Sequence, residues 1–398
     1  MDITVVKLGG TEGVDFSAIC KDAAELLNQG KRLVFVLHHC DEEHHPLWDQ
    51  ITSGVGGLPE IDLEYFIQTG KNIKDFQFKA DELNPKTLPP LKRWWRLSDG
   101  RLLAKRQSES FSSLEAFIKS PYQWVLRYKA KLESGSLAAL PKGNLLNGTL
   151  VHRLIEDFFE THQDCQTIDE KKFQVWLDRR MPELIEQEGA VHLGSGRAVE
   201  HEAFKEFTRR GLSALLNGIK GANVKAVEVE SLGSCKFVGG DLLGYIDLLL
   251  KDASGRELVL DVKWAGSKYR EDDLRKNMHL QLAIYAWMRK CMTNSSLWPP
   301  QAFFLIEEAH FLSQNRDAFS NAVPCPARDG ESTADLWRRF EETWKWRREQ
   351  LDRGLVEITI TGTDPDDESK PPESGLVLDD NADRFNDFAV LTGWEEGA

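Results

Sequence analysis

The sequence predicts an α/β protein: a large unit of strands and helices carrying a helical insert, preceded by a small N-terminal α/β domain. Three patterns predict it. KAVEVESL, LLGYIDLLLKD and RELVLDVKWA, between Lys225 and Ala265, are apolar or β-branched segments separated by turn residues such as Ala253-Ser254-Gly255. From Ser110 to about Ile219 the apolar residues recur at helical spacing. At the N-terminus, ITVVKL (3–8), a helical stretch near 15–28 and RLVFVLH (32–38) read as strand, helix and strand.

In chain order, residues 1–85 form the small α/β domain. The stretch 86–108 is rich in Pro and Lys (NPKTLPPLKRWW begins just before it) and reads as a basic linker. SFSSLEAFIKSPYQWVLRY opens with a serine ahead of apolar residues at helical spacing, and Pro121 punctuates it. NGTLVHRLIEDFFETH is a second helix with Leu150, Leu154, Ile155, Phe158 and Phe159 on one buried stripe. After the strands of 225–265 come a helix over 273–290 and a strand in QAFFLIEEAHFL. The amphipathic helix ADLWRRFEETWKWRREQLDRG then leads into VEITI. Residues 109–360 are thus the main domain, and 361–398 form an acidic tail expected to be disordered.

With 398 residues the chain is too long for one small core. Its six cysteines are scattered with no C-x-x-C pair, which suits a reducing compartment and argues against a disulfide framework or a compact zinc knuckle. The N-terminus lacks the basic-then-apolar plan of a signal peptide, and no apolar run reaches membrane-spanning length, so a cytoplasmic protein is expected. A net charge of −14 taken as a whole opposes nucleic-acid binding. However, residues 361–398 hold 11 acids against Lys370 and Arg384, a balance of −9 out of that −14. The remainder is only mildly acidic, so charge does not exclude DNA as a partner.

Two strands break their own pattern in the same way. Asp247 follows Gly-Tyr-Ile inside an apolar strand, and Asp261 and Lys263 sit two apart on the next, on one face of it. Ionised groups in apolar strands are costly unless they are paired or hold a metal. A tight turn makes these strands antiparallel neighbours, which gathers two carboxylates and one ammonium. Two carboxylates make a hard oxygen site for Mg²⁺ or Mn²⁺, and a lysine beside them can stabilise extra negative charge on a phosphate. Phosphodiester hydrolysis suits these parts; a buried salt bridge alone is the simpler alternative. On the helices, Gly148, His152 and Glu156 stand four apart, as do Gln281 and Tyr285 in MHLQLAIYAW.

The ordered set is G-x-x-x-H-x-x-x-E, an aspartate after Gly-Tyr-Ile, D-x-K and then Q-x-x-x-Y. It resembles the RecB/AddB-like branch of the PD-(D/E)XK nuclease superfamily over roughly Phe111 to Ile360. The resemblance implies a restriction-endonuclease-like core, a mixed sheet flanked by helices, and a metal-dependent deoxyribonuclease. It implies that His152, Asp247, Asp261 and the Val262 carbonyl ligate Mg²⁺ or Mn²⁺, with Lys263 as the catalytic lysine. Gln281 and Tyr285 would support the site or contact the DNA backbone, with Glu156 or Glu230 assisting. A separate helicase or ATPase subunit, in recombination, repair or defence against foreign DNA, is implied as a partner. A non-catalytic DNA-binding scaffold with a nuclease fold and an RNA-cleaving nuclease are the alternatives. Several relatives carry an iron–sulfur cluster, but Ser120 stands where its first cysteine would lie and only Cys325 follows the core before the tail, so no cluster is expected. No G-x-x-x-x-G-K-[ST] loop is present, so no Walker-type ATP site is expected.

Weaker signals surround these. HHCDEEHHP (38–46) holds four of the ten histidines, with the irregular spacing of a polar loop rather than of a second metal site. LKRWWRLSDGRLLAKR interleaves Trp94 and Trp95 with six cations, which suits either stacking on single-stranded bases or packing against the main domain. Lys268, Arg270, Arg275 and Lys276, just after the D-x-K strand, are placed to meet substrate phosphates. Trp337, Phe340 and Trp344 read as core.

Overall fold

A computed structural model describes residues 3–9, 25, 28–29, 32–38, 92–132, 142–162, 164–358, 368–378 and 388. The chain divides into two compact units, Met1–Lys86 and Thr87–Ala398. In the first, β1 (Ile3–Gly9) and β2 (Arg32–His38) pair in parallel. A parallel pair needs a crossover between its strands. The helix expected near 15–28 falls outside the described residues except for one turn, where the Gln29 amide donates to the Glu25 carbonyl at 3.1 Å. The His-rich segment after His38 also lies outside the described residues.

The second unit is built on a seven-stranded mixed sheet. Its strands are β4 (Ser108–Glu109), β5 (Val224–Phe237), β6 (Gly240–Asp252), β7 (Glu257–Lys263), β8 (Gln301–Leu305), β9 (His310–Ser313) and β10 (Val323–Pro324). The order is β10-β9-β8-β7-β6-β4, with β5 also paired to β6. β5, β6 and β7 form an antiparallel meander, and β8 returns parallel to β7. Ahead of it, β3 (Trp94–Arg96) pairs antiparallel with β11 (Leu355–Glu357). The described part of 86–108, expected as a basic linker, is therefore built into this unit: Trp95 packs against its core and β4 joins its main sheet.

Two helical layers cover the sheet. On one face lie α3 (Gly143–Phe159), α4 (Glu170–Glu188) and α5 (Ala198–Gly221), the helical insert. They pack on Leu258, Leu260 and Val262 of β7 and on Leu248 and Leu250 of β6. The opposite face carries α1 (Phe111–Lys119), α2 (Pro121–Gln123, continuing as a π-helical turn to Lys129), α7 (Leu280–Met292) and α8 (Thr333–Asp352). These pack on Ile246, Leu249, Val259, Phe303 and Leu305. Each such side chain contributes about 1.5–3 kcal/mol by burial, which is the source of the tolerance for charged groups nearby. Local signals explain the helix ends: Ser110 and Ser332 each close a capping box, with Ser113 and Asp335.

Two expected elements differ. The single helix over 273–290 is two, α6 (Ser267–Arg275) and α7, because Asn277 adopts φ 51° and its side-chain amide bonds Glu331 and the Ser332 carbonyl. Asparagine visits the left-handed region at little cost, so a local turn interrupts the helical period. QAFFLIEEAHFL is a hairpin, β8–β9, turning at Ala309 with φ 58°. Part of the tail is ordered: Arg353 pairs with Glu368, and the Leu376 amide donates to Thr343 Oγ1 at 2.7 Å with Leu376 buried. Among the described residues, no helix is long and apolar enough to cross a membrane.

Candidate active site

The site forms where β6 and β7 part. Their ladder runs from Lys251↔Glu257 to Leu248↔Leu260 and stops there. The next free amide, Val262 N–H, donates instead to Asp247 Oδ2 at 2.9 Å. Along β6 the alternation slips at this residue: Ile246 faces the layer of α1 and α7, yet Leu248 faces the insert. Across from Asp247, Glu230 of β5 takes φ 45°. A non-glycine residue in that region bears local strain, which a surrounding sheet must hold in place. Both strands thus bend together and turn two carboxylates toward one point.

Asp261 follows the ordinary period of β7 and points to the α7 face, where it is fully buried. Lys263 Nζ lies 2.7 Å from Asp261 Oδ2 and 3.9 Å from Asp247 Oδ2, so one ammonium serves two carboxylates. Both Asp261 oxygens are buried, and the Lys263 ammonium is the charged donor that reaches them. Burial, then the Asp247 charge, pushes the Asp261 carboxyl up to about 7, against the pull of Lys263. Asp247 is also raised, chiefly by burial. From the insert, α3 brings His152: its Nε2 lies 3.0 Å from the Val262 carbonyl and 3.8 Å from Asp247 Oδ2. Burial and then Lys263 lower its pKa, which keeps the imidazole neutral near pH 7. In the bond to Val262 the ring donates Nε2–H, so ligation through Nε2 needs the other tautomer.

His152, Glu230 and Asp247 each offer a ligand atom within 4.8 Å of one another. Glu230, expected only to assist, thus belongs to the tightest group of donors. Asp261 is not in that group; it lies close enough to Asp247 for the Asp247 charge to raise its pKa, and the two carboxylates share Lys263. The donor set fits a divalent cation. Two buried carboxylates that share a single ammonium are costly, and two or three carboxylates beside a neutral imidazole supply the hard, negative ligands such an ion takes. The Val262 carbonyl, an expected ligand, accepts from His152 Nε2 and keeps a second lone pair.

Gln281 and Tyr285 stand on α7 above this point. Gln281 Nε2 donates to the Tyr285 hydroxyl at 3.2 Å, and burial raises the phenol pKa, with Asp261, Asp247 and Glu230 adding to it. α7 comes this close because Gly233 and Gly244 oppose each other on β5 and β6. A Cβ on Gly233 would fall 2.6 Å from Met288 Sδ, and one on Gly244 would fall 3.2 Å from Met288 Cε and 3.6 Å from Tyr285 Cε1. The glycine of Gly-Tyr-Ile-Asp is thus a packing requirement of the helix that carries Tyr285.

The expected substrate contacts divide. Arg270 lies over the Phe303 ring and pairs with Asp273 at 3.5 Å, and its charge is felt at Asp261. Arg275 and Lys276 pair with Glu271 and Asp272 on the same helix. Lys268 has no ion-pair partner among the described residues. Trp94 and Trp95 sit on β3, the strand paired to β11, and Trp95 is partly buried against the core.

A sequence model of the PD-(D/E)XK nuclease superfamily matches residues 108–360, which is 253 of the 398. No curated protein matches the chain. The match begins at β4 and ends just past β11, so it spans the whole sheet, both helical layers and every residue of the site. On that match, and on a mixed sheet flanked by helices that opens at Asp247, Asp261 and Lys263, this chain belongs to the PD-(D/E)XK nuclease superfamily.

Proposed function

We propose that the chain is a divalent-metal-dependent deoxyribonuclease of the RecB/AddB-like kind, working beside a separate helicase or ATPase in DNA recombination, repair or defence against foreign DNA. The observation that carries it is the meeting of Asp247, Asp261 and Lys263 with His152 and Glu230 at the parting of β6 and β7. DNA as the substrate, and the branch, rest on the order of the motifs from Gly148 to Tyr285.

His152, Glu230, Asp247 and Asp261 would hold Mg²⁺ or Mn²⁺. When bound, such an ion polarises a phosphoryl oxygen and acidifies water. The chain supplies the rest. The Lys263 ammonium, fixed by Asp261, offers a charged donor where negative charge grows on the phosphate. The Tyr285 hydroxyl accepts from Gln281, which leaves its own proton free to donate to a substrate or carboxylate oxygen. His152 stays neutral and so remains a donor of its lone pair rather than a competing cation.

The test is cleavage of end-labelled single- and double-stranded DNA, with RNA as control, in Mg²⁺, Mn²⁺ or EDTA, using wild type, Asp261→Ala and Lys263→Ala. Metal-dependent DNA products lost in both variants are expected. Cleavage of RNA alone would replace the substrate. DNA binding without cleavage under every metal, even with a helicase partner added, would make the chain a scaffold with a nuclease fold.

A further inference from the structure

Two thiols outside the active site face each other across the α7–β5 contact. Cys235 lies on β5, opposite Leu242 of β6, and is half-buried; Cys291 lies in the last turn of α7 and is exposed. Neighbouring contacts fix the approach from three sides. The Ser234 amide points to Met292 Sδ at 3.4 Å, Trp287 Nε1 donates to the Lys236 carbonyl at 3.2 Å, and Met288 fills the space above Gly233. Residues 233–236 of the strand thus touch 287, 288 and 292 of the helix, and the two cysteines stand between these contacts. Each thiol bears on the ionisation of the other, so the two side chains are neighbours.

We infer that Cys235 and Cys291 are an oxidisable pair that closes to a disulfide when the protein meets a small-molecule disulfide such as oxidised glutathione. The exposed Cys291 is the accessible thiol. As thiolate it attacks a sulfur of the small disulfide, forming a mixed disulfide and releasing one small thiol. Cys235 then loses its proton and attacks Cys291 Sγ, expelling the second small thiol. The net change is two protein thiols and one small disulfide to one protein disulfide and two small thiols. Burial raises both pKa values, Cys235 to about 12, so exchange is slow at neutral pH and faster in mild base.

The position gives the bond a consequence. The ring it would close, from 235 to 291, contains Asp247, Asp261, Lys263, Gln281 and Tyr285. Oxidation would tie the far end of α7 to β5 while Tyr285, nearly two turns earlier, faces the site. A ring of this length restricts the unfolded chain strongly, and the contacts on either side of the pair already hold α7 against β5.

The experiment treats the full chain with oxidised glutathione at pH 8.5, then maps non-reduced peptides by mass spectrometry and records thermal unfolding. Wild type, Cys235→Ser and Cys291→Ser are compared. A peptide linking 235 to 291, a mass loss of about 2 Da, and a melting temperature raised by on the order of 5–10 °C that reducing agent reverses are expected in wild type only. Because the readouts are mass and melting, the result stands apart from whether the chain cleaves DNA. Stable glutathione adducts on Cys291 with no 235–291 link, or links from either residue to other cysteines, would overturn the inference. Should a serine variant melt early even when reduced, alkylating wild type before oxidation serves as the unlinked control.

Discussion

Asp261→Asn separates a catalytic carboxylate from a structural salt bridge, because the two roles give opposite signs. Asp261 is fully buried with the Lys263 ammonium beside it, and its pKa is pushed from 3.8 up to about 7. A group whose folded pKa is raised binds its proton more tightly when folded. The penalty for ionising it is therefore absent below pH 3.8, grows as pH rises, and is complete above about 7. Roughly three pKa units at 1.36 kcal/mol each come to about 4 kcal/mol. The asparagine avoids that penalty but buries an amide short of partners, at about 1–3 kcal/mol. The net expectation, in metal-free protein at pH 8, is a variant more stable than wild type by about 1–3 kcal/mol, with the difference vanishing or reversing near pH 4. Urea denaturation in EDTA at pH 8 and pH 4.5 reads this, and a Mn²⁺ titration followed by melting temperature should stabilise wild type far more than the variant. If Asp261→Asn instead destabilises the metal-free protein at pH 8 by more than about 1 kcal/mol, the Asp261–Lys263 pair is structural and the reasoning fails.

Other substitutions probe the same frame. Lys263→Met removes the one ammonium shared by Asp261 and Asp247; a loss of about 2–4 kcal/mol at pH 8, smaller at pH 6 where a carboxyl regains its proton, should appear in urea titrations, together with loss of cleavage. His279 has both ring nitrogens buried and unbonded, and burial lowers its pKa to about 4. Its neutral form stabilises the fold fully above pH 6.5 and that contribution disappears as pH falls toward 4, about 3 kcal/mol in all; His279→Leu should flatten that slope, and an unchanged slope would show that the ring is reached by water. Gly211→Ala puts a Cβ 2.5 Å from the Ile306 carbonyl oxygen, a backbone atom that cannot rotate away; the crowding should exceed the ~1 kcal/mol of helix propensity gained and lower the melting temperature by several degrees. Gly244→Val should displace Met288 and Tyr285, reducing cleavage without abolishing metal-induced stabilisation.

The sequence by itself determined the α/β class, the helical insert and the pairing that joins Asp247 to Asp261 and Lys263. It could do so because each depends on short-range period: alternation on two strands joined by a tight turn leaves little choice of partner. The nuclease family was legible in the same residues, since charged groups inside apolar strands stand out against their surroundings. Breaks that depend on one residue's backbone were hidden. The left-handed Asn277 that divides α6 from α7, and Ala309 that folds one apparent strand into β8 and β9, change no hydrophobic pattern. Trp94 and Trp95 were readable either as a base platform or as packing residues, and only the pairing of β3 with β11, from a segment some 260 residues later, decided how they are held. Glu230 shows the same limit most plainly. On its strand it alternates with one other acid, Glu228, and nothing local marks it. Its membership of the donor group follows from the register that sets it across from Asp247 and from a φ of 45° that turns its carboxylate inward. The order of motifs implied that His152 joins Asp247, but the contact itself, across from the insert to the parting strands, came from tertiary structure, because a helix's own period says which face is buried but not which strand it will meet.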